Sequence, residues 1–320
     1  MVRILLDREL RDLLDLPKVV ARIEEGYQAD SEGKVVPLPR TRTETRGTTL
    51  AWMGAAIPSA DLLVFRSYLY DSDGQDRGHQ VVALYGHKEM ELRALFLGRL
   101  VGNLRTGAAV TAALHLIDPS LGDVGFIGTG YQARNALACL VAVFRNPRVV
   151  AWSPNPEHRK EFADWARSAL GTEIALASDA EGVLAETSAI VLVTTSESPV
   201  VTQPMLREPK LLLSINSYRR PEIDTLILDA ARVVWTDSVA QASGPGTLFS
   251  DEERRSKLRP LMQGVQDGSL RERSSTRIVV NTGAAWEEAV TAQLLFEMAV
   301  ERGVGAEMPI PPDATQSRIF

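Results

Sequence analysis

Apolar and polar positions follow two different rhythms along the 320 residues. Asp7 is placed as the N-cap of a short helix to Leu14, and Pro17–Tyr27 as an amphipathic helix with proline in its first turn. Ser31–Arg46, rich in proline and threonine, reads as extended chain. The runs Leu50–Met53, Leu62–Leu69 and Gln80–Tyr85 read as strands, parted by turn formers such as those of Asp71–Gly78. Glu89–His115 reads as one long helix. The first hundred residues therefore predict an antiparallel α+β unit.

At Asp123 the rhythm changes. Short apolar runs at Val124–Ile127, Arg148–Trp152, Ile174–Ala177, Ala189–Thr194, Leu211–Ile215, Val233–Thr236 and Ile278–Asn281 read as strands. Helical segments separate them: Gln132–Phe144, Asn155–Leu170 with Asn155 as N-cap, Asp179–Glu186 and Pro221–Ala231. Strands alternating with helices predict a parallel, doubly wound sheet. Arg254–Arg273 reads as polar helix plus loop, and Trp286–Arg302 as a long amphipathic helix. The proline-rich tail Met308–Phe320 has no clear period. The expected fold class is α/β: a Rossmann-type dinucleotide-binding domain over 119–302, and an α+β domain over 1–118 joined by 303–320.

The stretch Gly128-Thr-Gly130-Tyr-Gln-Ala133 carries the most chemistry. It follows the first strand of the α/β series and opens a helix. Gly128 permits the tight turn, Gly130 lets a pyrophosphate approach the backbone, and Ala133 lets helix and strand pack closely. The helix N-terminus then faces the phosphates. The second strand ends Trp152-Ser153 with no acid to bind an adenine ribose diol. Ser153, supported by Asn155, His158 or Arg159, suits a 2′-phosphate. NADP(H) is therefore favoured, with NAD(H) left open. Ligands of such sheets gather beyond the carboxyl ends of the strands, here Thr194-Thr195-Ser196, Asn216-Ser217-Tyr218 and Asn281-Thr282-Gly283.

Composition removes several alternatives. Lys plus Arg number 35 against 41 Asp plus Glu, and no basic stripe forms, so no nucleic-acid partner is expected. The lone cysteine, Cys139, excludes an intramolecular disulfide and sits in an apolar run, so it reads as a core thiol. The four histidines His79, His87, His115 and His158 lack ligand spacing, so no metal is expected; His79 or His87 near the site would be a proton donor. No apolar run reaches about 18 residues, and charges from Asp7 onward interrupt the N-terminus, so a cytoplasmic protein without a membrane partner is expected.

The segment Leu104-Arg-Thr-Gly-Ala-Ala109 resembles a motif of the ornithine cyclodeaminase/mu-crystallin family, which includes alanine dehydrogenases and ketimine reductases. The opening ILLDRELRDLL, Val36-Pro-Leu-Pro-Arg40, Gly-Phe-Ile-Gly-Thr-Gly and Asn281-Thr-Gly283…Glu288 are similar too, in the same order along nearly the whole chain. The resemblance implies a homodimer built on the N-terminal sheet, a Rossmann domain, and a small-molecule amino-acid or imine substrate bound between them.

Residue by residue, it implies that Arg105, at the opening of a helix, grips the substrate carboxylate, with Arg40, or Arg42 in a shifted register, as a second contact. Where the family has a lysine the chain offers Arg66, and where cyclodeaminases have an aspartate it offers Tyr218. Tyr218, Arg66 or a bound water would then relay a proton. Cofactor contacts are expected from Thr106, Gly128, Thr129, Gly130, Tyr131, Gln132, Ala133, Ser153, Arg159, Thr194, Thr195, Asn216 and Gly283. The activity implied is NAD(P)-dependent hydride transfer at the carbon–nitrogen bond of an imine or α-amino acid. A redox-neutral cyclodeaminase with bound NAD, and a non-catalytic dinucleotide- or ligand-binding protein, are the alternatives.

Overall fold

The computed structural model describes residues 1–71 and 79–310. Most of the turn expected over Asp71–Gly78, and the end of the tail, lie outside the described residues. The chain divides into two compact units. The first comprises Met1–Asp15, Glu32–Gly102 and the chain from Ala285 onward. The second comprises Leu16–Ser31 and Asn103–Ala284. The chain thus crosses at 15/16 and 31/32, around the helix Leu16–Ser31, at 102/103 inside the helix Leu100–Ile117, and at 284/285 just before the helix Ala285–Glu301; the junctions read from the sequence were 118/119 and 302/303.

The first unit is built on strands β1 (Val2–Leu6), β2 (Val36–Thr45), β3 (Thr48–Ile57), β4 (Leu62–Asp71), β5 (Gln80–Tyr85) and β6 (Leu92–Leu97). From β2 to β6 they form an antiparallel meander; β1 then pairs parallel to β6 and antiparallel to the closing strand Ala306–Met308. β1 was not expected, and the start of the supposed Glu89–His115 helix is β6. Gly98, at φ +145°, ends that strand, and the Asp7 carboxylate accepts from the Arg99 and Leu100 amides at 2.8 and 3.0 Å. Asp7 therefore caps a helix far along the chain, which begins at Leu100.

Helix Ala285–Glu301 packs against β2, β3, β4 and β5. It was expected to be amphipathic, yet Glu287 and Glu288 are both fully buried. Arg66 on β4 explains half of this, because its guanidinium pairs with the Glu288 carboxylate. A buried charge is tolerated when it is paired.

The second unit is an all-parallel sheet. Its strands are β7 (Asp123–Ile127), β8 (Arg148–Trp152), β9 (Ile174–Leu176), β10 (Ala189–Leu192), β11 (Leu211–Ser214), β12 (Val234–Thr236), β13 (Leu258–Pro260) and β14 (Arg277–Val280). The order is β13-β12-β14-β11-β10-β7-β8-β9. The direction of winding reverses between β7 and β10, the switch point at which such sheets open a crevice. Every residue of β10 and β11 is buried, as expected of strands covered on both faces. The three-residue β13, inside the polar Arg254–Arg273 stretch, was too short to be read. Asn155 caps its helix as expected, accepting from Glu157 N at 2.8 Å and His158 N at 3.4 Å. Helix Leu100–Ile117 is apolar and long enough to cross a bilayer, but 78% of it is buried in the structure.

Candidate active site

In the second unit, the carboxyl edge of the parallel sheet collects the polar groups. β7 ends at Ile127, and Gly128 turns the chain at φ +108° while its amide donates to the Trp152 carbonyl at 2.8 Å. A Cβ at 128 would stand 2.8 Å from the Val193 carbonyl carbon, so the position requires glycine. Gly130 differs. A Cβ there would meet no protein atom within 4 Å, although φ is an ordinary −79°. It opens helix Tyr131–Val143, whose N-terminus has no side-chain cap. Free amide N–H groups and an open backbone form a cradle for an anion. Ala133, fully buried, seats the helix on the sheet. These residues fit a dinucleotide pyrophosphate.

Around that loop, Thr129 Oγ1 and Ser153 Oγ lie 2.7 Å apart and both residues are buried. Arg159 donates to the Ser178 carbonyl at 3.2 Å. Tyr131 is exposed, and its hydroxyl accepts from Asn103 at 3.2 Å, while Gln132 donates to the Asn103 side-chain oxygen at 3.2 Å.

At the neighbouring strand ends, Glu222 organises the backbone. It is fully buried and accepts from Thr194 N at 2.6 Å, Thr194 Oγ1 at 2.8 Å, Ser214 Oγ at 2.5 Å and Asn216 N at 3.2 Å. Burial pushes its carboxyl above the ordinary value, and these four bonds only partly offset it. Asn216 then donates to the Thr194 carbonyl at 2.6 Å. The ends of β10 and β11 are thereby locked together, while Thr195 stays exposed.

Arg105 and Thr106 lie on helix Leu100–Ile117, both buried. Arg105 is five residues past the helix start rather than at it, because Asp7 sets that start at Leu100. No helix-terminal amide therefore reinforces its charge. Two residues on, Gly107 lets this helix lie directly on the Asn135 peptide; a Cβ would come within 2.5 Å of the Asn135 carbonyl carbon. Arg105 is thus fixed relative to the helix that follows the glycine loop. Its guanidinium lies over Gly283, where a Cβ would stand 3.0 Å from Cζ.

The turn carrying Gly283 is itself braced. The Asp237 carboxylate accepts from Thr282 N at 2.7 Å, Ala284 N at 2.9 Å and Thr282 Oγ1 at 3.1 Å, and Gln241 donates to the carbonyls of Thr282 and Gly283 at 2.7 and 3.2 Å.

Glu222, Asp237 and Gln241 were missed in the sequence. Asp237 had a signal: it immediately follows β12, where the carboxyl-end rule applies as it does to the other strands. Glu222 had none, because it comes from a turn eight residues beyond β11.

The surroundings of the other expected site residues are as follows. Tyr218 is buried in the apolar core with Ile223, Leu228 and Phe249. In the first unit, Arg40 is half-buried with Nε 3.3 Å from Met53 Sδ. Arg66, also in the first unit, is 6% exposed; it pairs with Glu288, donates to Gln80 at 2.6 Å and lies 4.4 Å over the Tyr68 ring. His79, His87 and His158 are exposed, and His115 meets Glu24 at 2.7 Å. Among the described residues no cluster of histidine, cysteine or acid side chains could hold a metal. Burial pushes the Cys139 thiol up to about 12, so it is not a nucleophile.

The family profile described as "Ornithine cyclodeaminase/mu-crystallin family" matches residues 2–303. The iminosuccinate reductase of Paracoccus denitrificans is 28% identical over 223 residues, covering 67% of this chain and 68% of that protein. Its crystal structure in complex with NAD+ superposes with a TM-score of 0.84 at 22% identity, over 97% of this chain and 99% of that one. The Thermococcus litoralis Delta(1)-pyrroline-2-carboxylate reductase, in complex with NADH and L-proline, superposes with a TM-score of 0.82 at 23% identity, over 96% and 100%.

Proposed function

Because the chain belongs to the ornithine cyclodeaminase/mu-crystallin family, we propose that it is an NAD(P)-dependent oxidoreductase acting on an imine or α-amino acid. When bound, the nicotinamide supplies or receives a hydride at the carbon that carries both nitrogen and carboxylate. One observation carries the reading. The second unit alone holds both an open pyrophosphate cradle at Gly130 and a buried arginine, Arg105, fixed by helix packing to the helix the cradle opens. The curated relative is an iminosuccinate reductase and a structural neighbour is a pyrroline-carboxylate reductase, both imine reductases by name.

Each residue has a defined task. Gly128, Thr129, Gly130 and the helix start at Tyr131 hold the pyrophosphate, with Gln132 and Ala133 shaping that turn. Thr106 on its helix, and Thr194, Thr195 and Asn216 at the strand ends, face the nicotinamide, with Glu222 as the positioning residue of Thr194 and Asn216. Arg105 takes the substrate carboxylate through its planar fork, and Gly283 leaves room for the guanidinium.

An arginine does not surrender its proton near neutrality, and Arg66 is tied to Glu288. Its charge serves the ion pair inside the first unit. Tyr218 sits in the core, so the proton for the substrate nitrogen is assigned to bound water. NADPH is accepted at least as well as NADH, because β8 ends in Trp152-Ser153 without an acid to repel a 2′-phosphate.

The assembly proposed is a homodimer through the sheet of the first unit. Leu50 and Leu69, paired across β3 and β4, and Phe65 lie on the face opposite the buried Ala51, Val64 and Arg66, and each is about 40% exposed. Exposed apolar residues grouped on one sheet face suit a second copy. Light scattering tests the dimer. The activity is tested by a reductive screen of cyclic imines and of α-keto acids with amines, using both cofactors. Oxidation of either cofactor dependent on one substrate class supports the proposal, and ammonia release from a diamino acid without net cofactor consumption refutes it in favour of cyclodeamination.

A further inference from the structure

The amino edge of the parallel sheet carries a second polar pocket, of about 400 Å³, lined by Ile117, Asp118, Pro119, Arg271, Arg273 and Arg277. Arg277 opens β14, and Asp118 lies in the turn that leads into β7. The length of one five-residue strand, about 15 Å at the usual rise per residue, separates this edge from the Gly128 loop.

The charges here do not balance. Arg273 donates to the Asp118 carboxylate at 2.7 Å. Burial works against the charge on Asp118, but two hydrogen bonds from Ser120 and the Arg273 cation outweigh it and hold the carboxyl below its ordinary range. Asp118 is therefore ionised and neutralises one arginine. Arg271 is spent on neutral acceptors, the carbonyls of Ile117 at 3.2 Å and Leu116 at 3.3 Å, which end the helix Leu100–Ile117. That contact explains Arg271 as a helix C-terminal cap.

It does not explain Arg277. This side chain is 6% exposed, donates Nη1 to the Leu270 carbonyl at 3.0 Å, and has a buried Nε with no partner among the described residues. Burial and then the Arg273 cation both work against its charge. Glu272, the nearby acid in sequence, lines a different pocket and accepts from Ser274. Three guanidiniums and one carboxylate leave two positive charges uncompensated.

We infer that this pocket is a binding site for a phosphate-type dianion, either the free ion or a phosphomonoester. Two net charges match a dianion, and planar guanidinium forks match its oxygens. The unsatisfied, buried Arg277 supplies a fixed donor, and Arg273, whose side chain is 67% exposed, closes from the solvent side.

The test is calorimetric titration of inorganic phosphate, and separately of glycerol phosphate, into the full chain at constant ionic strength, with chloride as the blank. The unaltered protein, Arg277→Gln, Arg273→Gln and Gly130→Ala are compared. Arg273 is exposed, so its variant reports on the site even if Arg277→Gln fails to fold. The expected result is one saturable phosphate site that is weakened about tenfold or more by Arg273→Gln, lost in Arg277→Gln, and unchanged in Gly130→Ala. Tighter binding of glycerol phosphate than of phosphate assigns the ester as the source; equal binding assigns the free ion. Absence of saturable heat, or a site lost in Gly130→Ala and kept in Arg273→Gln, overturns the inference.

Discussion

The guanidinium of Arg105 lies directly over Gly283, so closely that a methyl group at 283 would stand 3.0 Å from Cζ. Gly283 also adopts φ +69°, a conformation that costs a residue with a side chain. The arginine and the glycine therefore form one device, a fork and the space it occupies. Gly283→Ala should displace Arg105 and lower kcat/KM for the carboxylate substrate while the dinucleotide still binds. Arg105→Lys keeps the charge and loses two-point geometry. It should cost about 2–3 kcal/mol of transition-state binding, roughly 30- to 150-fold in kcat/KM. Steady-state kinetics and fluorescence titration of NADPH check both. Normal turnover by the Lys variant, or loss of NADPH binding instead of loss of turnover, would remove Arg105 from its assigned place.

The two loop glycines should behave differently. Gly128→Ala meets the Val193 carbonyl at an unfavourable φ, and should lower stability as well as cofactor binding. Gly130→Ala meets no protein atom. It should leave the melting temperature nearly unchanged and weaken NAD(P)H binding about tenfold or more, because the methyl would occupy the phosphate's approach. Melting curves with and without cofactor separate the two.

This contrast was legible in the motif, because the turn, the approach and the packing positions each demand a small residue at a fixed spacing. Arg105 and Gly283 could be named from the sequence, but not their mutual contact, which depends on how the Leu100–Ile117 helix lies on Asn135. The parallel sheet was readable because buried strands such as Ala189–Leu192 are continuous apolar runs. Short or half-polar strands were not: Leu92–Leu97, interrupted by Arg93, joins seamlessly in pattern to the helix after it. Glu222 and Asp237 bind a mixture of backbone amides and hydroxyls of Thr194, Ser214 and Thr282, pairings that the sequence does not reveal.

Arg66 and Glu288 form a buried ion pair in the first unit. Removing one member leaves the other charge uncompensated. Arg66→Met should destabilise that unit by about 3–5 kcal/mol, and Arg66→Met combined with Glu288→Leu should recover most of it. Urea denaturation of the single and double variants measures this. Arg66→Lys retains the charge but not the simultaneous reach to Glu288 and Gln80, and should fall between.

Asp30, on the helix Leu16–Ser31, has its carboxyl pushed up to about 6, first by burial and then by the neighbouring Asp237 charge. The folded protein thus holds this proton more tightly than the unfolded chain, whose carboxyl titrates near 4. The associated stability is complete below about pH 4 and is lost as pH rises through 6. Asp30→Asn removes the charge and should raise stability at pH 7.5 by about 1–2 kcal/mol, a figure reduced for partial solvent screening. At pH 4 it should change little. Melting temperatures across pH 4–8 check the direction.

The most direct measurement follows the hydride itself. NADPH or NADH deuterated at the transferable position of the nicotinamide is incubated with the enzyme and a cyclic imine carboxylate, and the amino-acid product is analysed by mass spectrometry and NMR. The proposed chemistry predicts one deuterium on the carbon between nitrogen and carboxylate, in one stereochemical configuration, and strongly reduced formation of that product by Arg105→Lys. Product without deuterium at that carbon, or no product with any imine or keto-acid and amine pair while a diamino acid is cyclised with loss of ammonia, would contradict it.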